Sequence, residues 1–401
     1  MRILHVTAYF APAFAYGGPP RSVLGLCKAL RKAGVDVEVA TTTANGHETP
    51  LIATAEPVPY EGVPARYFPL QFPARIFRAP RMREFLRKET QTFDLVHVHG
   101  LWNWVAWTGV RESARAAVPY VISARGMLEP AALNHRWLGK KIVYRAVEQS
   151  NLRNASFLHA TAASEQANLL KLNLNVPVVL LPNAVENLID RNTSRGAFRR
   201  RSGIDATTPL VVWIGRIHRI KRLDLLIEAF RRVRQCCLAE LVIAGPDETG
   251  LRSGLENPIG GEDAGVHWLG EIDAAAKREL LADADVLVMC SDSESFGMSV
   301  LEALSAGVPV VVTRTCPWPE VESAGCGFWV PQDAAEIAGG ILRIISAREC
   351  LPNMRRRAQE LVREKYLWSS VARRMTEFYA EAIARAAARR ESWRVQGGCQ
   401  T

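Results

Sequence analysis

Two carboxylates and two cations carry the densest chemical signal in the sequence. Glu294 and Glu302 stand eight positions apart in SDSESFGMSVLEALSAGVPVVVTR, and Arg216 and Lys221 five apart in WIGRIHRIKRLDLLIEAF. In both segments a strand-like apolar run ends just before the polar residues. A Glu294 on the loop and a Glu302 on the first turns of the next helix would therefore face the crevice where open α/β sheets hold ligands. Gly297 lets the backbone approach a ligand closely, and free N–H groups at the helix start favour phosphate. Arg216, through its planar fork, and Lys221, as a point charge, can reach one diphosphate. Two fixed cations there would stabilise the charge on a departing diphosphate without a metal. The competing reading makes Glu294 a solvated loop residue, Glu302 a surface helix residue and the cations a basic helix start, which suits Arg219. Against it stand Ala303, Ser305, Ala306 and Gly307, small residues that allow tight packing of helix on sheet beside a polar loop. A cation cluster at a helix N-terminus also opposes the macrodipole and asks for an anion.

The N-terminal half offers weaker signals. Gly17 and Gly18 follow a strand-like run in YFAPAFAYGGPPRSVLGLCKAL, without the GxGxxG pattern of a dinucleotide fingerprint. His97 and His99 share one strand face. No further cluster of Cys, His or carboxylate is visible near them in sequence, so no metal site is expected. His99 reads either as a site-lining residue or as a buried, hydrogen-bonded histidine. The eight cysteines show no CxxC spacing and read as reduced thiols.

The elements that must position these residues are two series of strand-like runs alternating with amphipathic helical segments. ILHVTAYF, DVEVATTT, LVHVHG, YVISAR, FLHATA and VPVVLLPNAV form the first; PLVVWIG, ELVIAG, VHWLG, DVLVMCS and VPVVVTR form the second. That alternation predicts α/β architecture, two doubly wound Rossmann-like parallel-sheet domains facing across a cleft that holds the function. A length of 401 residues agrees with two cores. The polar, basic stretch at residues 186–208 is the expected boundary, giving one domain over 1–187 and a second over 188–370. A last helix over 371–401 carries Val371, Met375, Phe378, Tyr379, Ala382 and Ile383 at helical spacing. It is expected to pack back on the first domain, with a frayed tail.

Composition narrows the function classes. With 48% hydrophobic and 23% charged residues the chain reads as globular. MRILHVTAYF reads as a strand rather than a leader, and no uncharged apolar run reaches the ~18 residues of a spanning helix. A cytoplasmic protein is expected, with any membrane contact peripheral and at the inner face of the plasma membrane. The net charge of +9 favours anionic partners. Residues 65–88 hold seven Lys/Arg against one Glu, interleaved with Phe68, Phe72, Ile76, Phe77 and Phe85. Two readings stand side by side: residues 66–88 contact an anionic membrane, or Met82, Phe85, Leu86 and Phe93 are the core side of a solvated helix. No nucleic-acid motif accompanies the charge, so no nucleic-acid partner is expected.

GRIHRIKRLDLLIEAF and ESFGMSVLEALSAGVPVV closely resemble the donor-site motifs of glycosyltransferase family 4, retaining enzymes of GT-B fold. LPNAV resembles the family's lead into its second domain. The resemblance spans nearly the whole chain. It implies that Arg216 and Lys221 bind the donor diphosphate, Glu302 the ribose hydroxyls and Glu294 the transferred sugar near its reacting carbon, as catalytic residues or donor contacts. It further implies donor contacts at Gly215, Phe296, Gly297 and Met298, and at Gly18 toward the phosphate. Gly17, His99 and Arg125 fall on the acceptor side. ISARGMLEPAALNHRWLGKK departs from the pattern: Arg125 stands where many relatives carry a histidine, and RGML variants resemble enzymes of bacterial surface-polysaccharide assembly. Arg125 could bind a phosphate of donor or acceptor. No cofactor or metal is implied.

The resulting expectation is a retaining transferase moving a hexose from a nucleotide sugar to a hydroxyl of a lipid-linked or glycan acceptor, in exopolysaccharide or lipopolysaccharide biosynthesis. Retention is compatible with front-face attack or a covalent intermediate. The alternatives are a nucleotide-sugar epimerase of the same fold and a non-catalytic sugar-nucleotide-binding protein.

Overall fold

Aliphatic runs without a polar face become strands buried on both sides, and the computed structural model places one at each of the runs quoted above. It describes residues 1–46, 51–54, 56–129, 141, 143–189, 195–247, 249–255 and 265–397. The chain divides into unit 1, Met1–Ala184 with Trp368–Thr401, and unit 2, Val185–Leu367.

Unit 1 contains β1 (Arg2–Thr7), β2 (Asp36–Thr42), β3 (Val58–Tyr60), β4 (Val63–Phe68), β5 (Leu95–His99), β6 (Tyr120–Ser123), β7 (Phe157–Ala160) and β8 (Val178–Leu180). Their order is β3-β4-β2-β1-β5-β6-β7-β8, parallel except for the antiparallel β3/β4 pair. Unit 2 contains β9 (Leu210–Ile214), β10 (Glu240–Ala244), β11 (Val266–Gly270), β12 (Val286–Met289), β13 (Val310–Thr313) and β14 (Gly327–Val330). These form a parallel sheet in the order β11-β10-β9-β12-β13-β14. The order in which strands are added reverses between β1 and β5 in unit 1 and between β9 and β12 in unit 2, so each sheet has one switch point.

Helices seal these sheets. Leu223–Cys236 lays Leu223, Leu226, Ile227, Phe230 and Val233 against β9 and β10 residues such as Val211 and Leu241. Each such fully buried side chain stabilises the fold by roughly 1.5–3 kcal/mol relative to exposure. The helix Trp368–Gly397 joins the core of unit 1 through Val371, Ala372, Met375, Tyr379 and Ala382. Its first residue lies so close to the helix Gly18–Lys32 that a Cβ on Gly25 would sit 2.5 Å from the Trp368 indole nitrogen.

The unit borders fall at Ala184/Val185 and Leu367/Trp368. The basic stretch expected to be a loose boundary is partly core: Phe198 and Arg199 are buried. Arg199 donates to the carbonyls of Asp205 and Thr208 and pairs with Asp285 at 3.0 Å. A buried guanidinium with its donors satisfied can anchor a segment whose composition reads as solvated. Residues 130–140 and 190–194 and Cys399 lie outside the described residues. The other seven cysteines are free thiols.

Candidate active site

In unit 2 the predicted residues come from the two strands that flank the switch point. β9 ends at Ile214, and Gly215 and Arg216 follow it, Gly215 donating to Ala244 O and Ile217 to Pro246 O. Arg216 is exposed. A 3-10 turn, Arg219–Lys221, then carries Lys221 inward. After β12 the loop brings in Glu294. Lys221 Nζ and Glu294 Oε2 meet at 2.5 Å, with side chains only 18% and 15% exposed. The two loops are stitched together: Asp292 N–H donates to Ile220 O, and Arg222 pairs with Asp224 and Asp292. Those hydrogen-bonded carboxylates raise the Arg222 pKa and keep it charged.

Glu294's loop is held from behind. Trp318 Nε1 donates to Phe296 O, and the buried Phe296 ring packs edge-on against Trp318 at 5.2 Å. Gly297 takes φ +88°, and a Cβ there would lie 3.0 Å from Trp318 Nε1. Both facts demand glycine. Gly297 is also the N-cap of the helix Met298–Ser305, which has no side-chain cap and no acidic residue in its first turn. Its leading N–H groups have no intrahelical acceptor, which is the arrangement that favours an anion. Glu302 projects from this helix to Lys277 Nζ at 2.6 Å. Lys277 escaped the sequence reading because a single lysine early in the helix Ala274–Asp283 carries no motif. A cavity of about 430 Å³ lined by Ile217, His218, Arg222, Leu251 and Asp292 adjoins the same turn, but Lys221, Glu294 and Glu302 do not line it.

In unit 1, Gly17 has φ +83° and caps the helix Gly18–Lys32, again without a side-chain cap or an acidic residue in the first turn. Arg125 leans on that helix: Nη1 donates to Ser22 Oγ at 2.8 Å and to Asn183 Oδ1 at 3.2 Å, while Nη2 reaches His99 Nδ1 at 3.2 Å. The expectation that no further cluster of Cys, His or carboxylate lies near His97 and His99 is overturned by two more histidines. Parallel pairing of β1 with β5 brings His5 opposite His97, and His159 arrives on β7. His5, His97 and His99 each place a nitrogen within 4.8 Å of the others. Sequence separation hid this, since strand neighbours in a parallel sheet are far apart in the chain. Burial depresses all four histidines, His5 and His159 from 6.5 to about 3.

The apolar side chains of the basic stretch lie mostly on the core side, while most of its cations are exposed. Met82, Leu86 and Phe93 are buried and Phe85 packs against them, while Arg66 pairs with Glu38 and Arg83 with Glu112. Phe72, 90% exposed, is the exception. Among the described residues no helix is long and apolar enough to cross a membrane.

Residues 17–184 match the model of the glycosyl transferase 4-like domain, and residues 208–347 that of glycosyl transferases group 1. A D-inositol 3-phosphate glycosyltransferase of Kineococcus radiotolerans is 29% identical over 413 residues, covering 93% of this chain and 92% of that protein. Among solved structures, a sucrose-phosphate synthase of Thermosynechococcus elongatus superposes with a TM-score of 0.75 at 19% identity, covering 96% of this chain and all of that one. HepE of Anabaena, solved with UDP and glucose, superposes with a TM-score of 0.70 at 19% identity over 95% of this chain and 100% of its own. With both halves matched in order and two parallel-sheet α/β units of GT-B fold, the chain belongs to the glycosyltransferases of family 4 and is an enzyme of that class.

Proposed function

We propose that the enzyme transfers a hexose, with retention, from a nucleoside-diphosphate sugar to a hydroxyl of a lipid-linked or glycan acceptor, in exopolysaccharide or lipopolysaccharide biosynthesis. The 2.5 Å contact between Lys221 and Glu294 at the unit 2 switch point carries the reading. In a sugar diphosphate the reacting carbon is bonded directly to a phosphate oxygen. A cation for the phosphate and a carboxylate for the sugar must then be close neighbours. Arg216 and Lys221 take the diphosphate and stabilise its charge as the C1–O bond breaks, and the Met298–Ser305 helix start adds its dipole. Glu294 contacts the sugar. Glu302 accepts from the ribose hydroxyls, one carboxylate serving two O–H groups. Gly215, Phe296, Gly297 and Met298 shape this donor site, Gly18 is the candidate donor-phosphate contact and Gly17 the acceptor-side one, while His99, buried with both ring nitrogens bonded, acts through Arg125. HepE, whose structure holds UDP and glucose, supports a nucleotide-sugar donor. No step calls for a metal or a further cofactor. The lipid-linked acceptor gains support from the exposed Phe72 amid the cations of residues 66–88, a combination suited to an anionic membrane surface at the inner face of the plasma membrane.

The test is a panel of radiolabelled nucleotide sugars with membrane lipid extracts. Transfer of label from one donor is expected. Neither transfer nor donor binding across the common sugars would sink the reading, and a changed sugar without an acceptor would indicate an epimerase.

A further inference from the structure

The hydrogen-bond partners fix the protonation of the buried histidines. Leu181 O can only accept, so His159 donates to it from Nε2 at 2.8 Å and accepts at Nδ1 from Ser123 Oγ at 2.7 Å. Ser123 then accepts from His97 Nε2 at 2.6 Å, and His97 Nδ1 accepts from the Tyr379 hydroxyl at 2.6 Å. From the other side, Arg125 can only donate, so His99 accepts at Nδ1 and donates from Nε2 to His5 Nδ1 at 2.9 Å. Each of these four histidines is neutral with one assigned tautomer, the two bonded sets meet through stacking of the His97 and His99 rings at 4.1 Å, and the lone pair turned to Arg125 is that of His99 Nδ1.

Arg125 is thus a guanidinium surrounded by neutral groups. Among the described residues no carboxylate oxygen lies within 4.0 Å of it, and its Nε is buried without a partner. Glu165 acts on it through space, but its oxygens are taken by Gly126 N–H and by Thr161 N–H and Oγ. The same guanidinium bonds Ser22, the fifth residue of the helix Gly18–Lys32, whose uncapped, acid-free first turn adds positive potential. A desolvated charge beside a like-signed dipole is costly until an anion joins it.

We propose that Arg125 binds an oxyanion of a substrate, a phosphate or carboxylate. The neutral histidine cluster, in which His99 contacts the cation and stacks on the Tyr379-bonded His97, acts as the positioning device that holds the cation without neutralising it. This rests on the transferase reading for the identity of the substrate, and the anion comes either from the donor diphosphate or from an acidic acceptor.

The experiment titrates inorganic phosphate calorimetrically into the full chain, alone and saturated with the nucleoside diphosphate that the donor panel selects. Arg125→Met is expected to weaken phosphate binding about tenfold or more, the scale of losing a charge-assisted contact, and Arg125→Lys to retain part of it. Phosphate binding alongside the nucleotide assigns the anion to the acceptor. Exclusion by the nucleotide, with weaker nucleotide binding in Arg125→Met, assigns it to the donor. Phosphate and nucleotide affinities both equal to wild type in Arg125→Met overturn the proposal. Should that variant fail to fold, Arg125→Lys decides by the same titration, a drop of about threefold or more supporting the site and an unchanged affinity overturning it. Tyr379→Phe, which keeps the ring packing, is expected to lower phosphate affinity about threefold. Wild-type phosphate affinity in it overturns the positioning role. A stoichiometric transition metal retained by the wild type and absent from His5→Asn would also overturn the neutral cluster, since bound metal would take the nitrogens that it uses. If the wild type binds no nucleoside diphosphate, the transferase reading fails, while the phosphate titration still judges Arg125.

Discussion

Units 1 and 2 use one kind of sheet with one switch point each, yet they treat charge in opposite ways. Unit 2 pairs every cation in its site that is described in contact: Lys221 with Glu294, Lys277 with Glu302, Arg222 with Asp224 and Asp292. Unit 1 bonds Arg125 to neutral groups, the Ser22 hydroxyl, the Asn183 amide oxygen and the His99 imidazole. Paired charges at a strand end can be exchanged for ligand contacts one by one, because each partner already has a substitute. A cation held by neutral groups has no such substitute and stays poised for an anion. Two copies of a fold thus supply an exchangeable site and a fixed one.

The comparison breaks most visibly at Glu294. Glu294→Ala should lower the transfer rate constant about a hundredfold, on the scale of removing one electrostatic contact to a reacting centre, read from steady-state kinetics with the panel's donor. A rate within a few-fold of wild type would leave unit 2 without its central residue. Acid should next separate the units. His5, His97, His99 and His159 of unit 1 have folded pKa values below the ordinary 6.5, His5 and His159 near 3, so the unfolded chain takes up protons first. The stability this confers is complete above pH 6.5 and is lost as pH falls toward 3, with a slope of up to about 1.4 kcal/mol per pH unit for each histidine. Unit 2's described histidines, His218 and His267, are only half-buried. Pulse proteolysis at pH 7 and pH 5, with fragments assigned to each unit, should show unit 1 losing protection first.

Lys277→Ala sharpens the idea of exchange. If Lys277 only holds Glu302 for a ligand, the donor KM should rise about five- to tenfold, roughly 1 kcal/mol, with kcat within twofold. A kcat loss instead would place it nearer the chemistry. Gly297→Ala should act on stability alone, where a positive φ and a 3.0 Å contact with Trp318 cost about 1 kcal/mol, measured as a lower Tm for unit 2.

The sequence made the donor half readable because its signals are local. Glu294, Gly297 and Glu302 lie on one loop and helix, so spacing alone places them at a strand end. β3, β4 and β14 were less visible. β4 alternates Arg66 with buried Ala65 and Tyr67 inside what reads as a basic stretch, and β14 is four residues long with two half-buried positions. The histidine cluster was invisible for a different reason: His5, His97, Ser123, His159 and Tyr379 meet only through parallel pairing and the returning helix. Local periodicity reports which face of an element is buried, not which distant element covers it.

That returning helix has a consequence for synthesis. The first 184 residues emerge from the ribosome long before Trp368, so the apolar surface around Gly25 and the His97 nitrogen that receives Tyr379 wait uncovered while all of unit 2 is made. The nascent first half must persist as an incomplete intermediate, and a message truncated anywhere before codon 368 would yield a unit 1 unable to close.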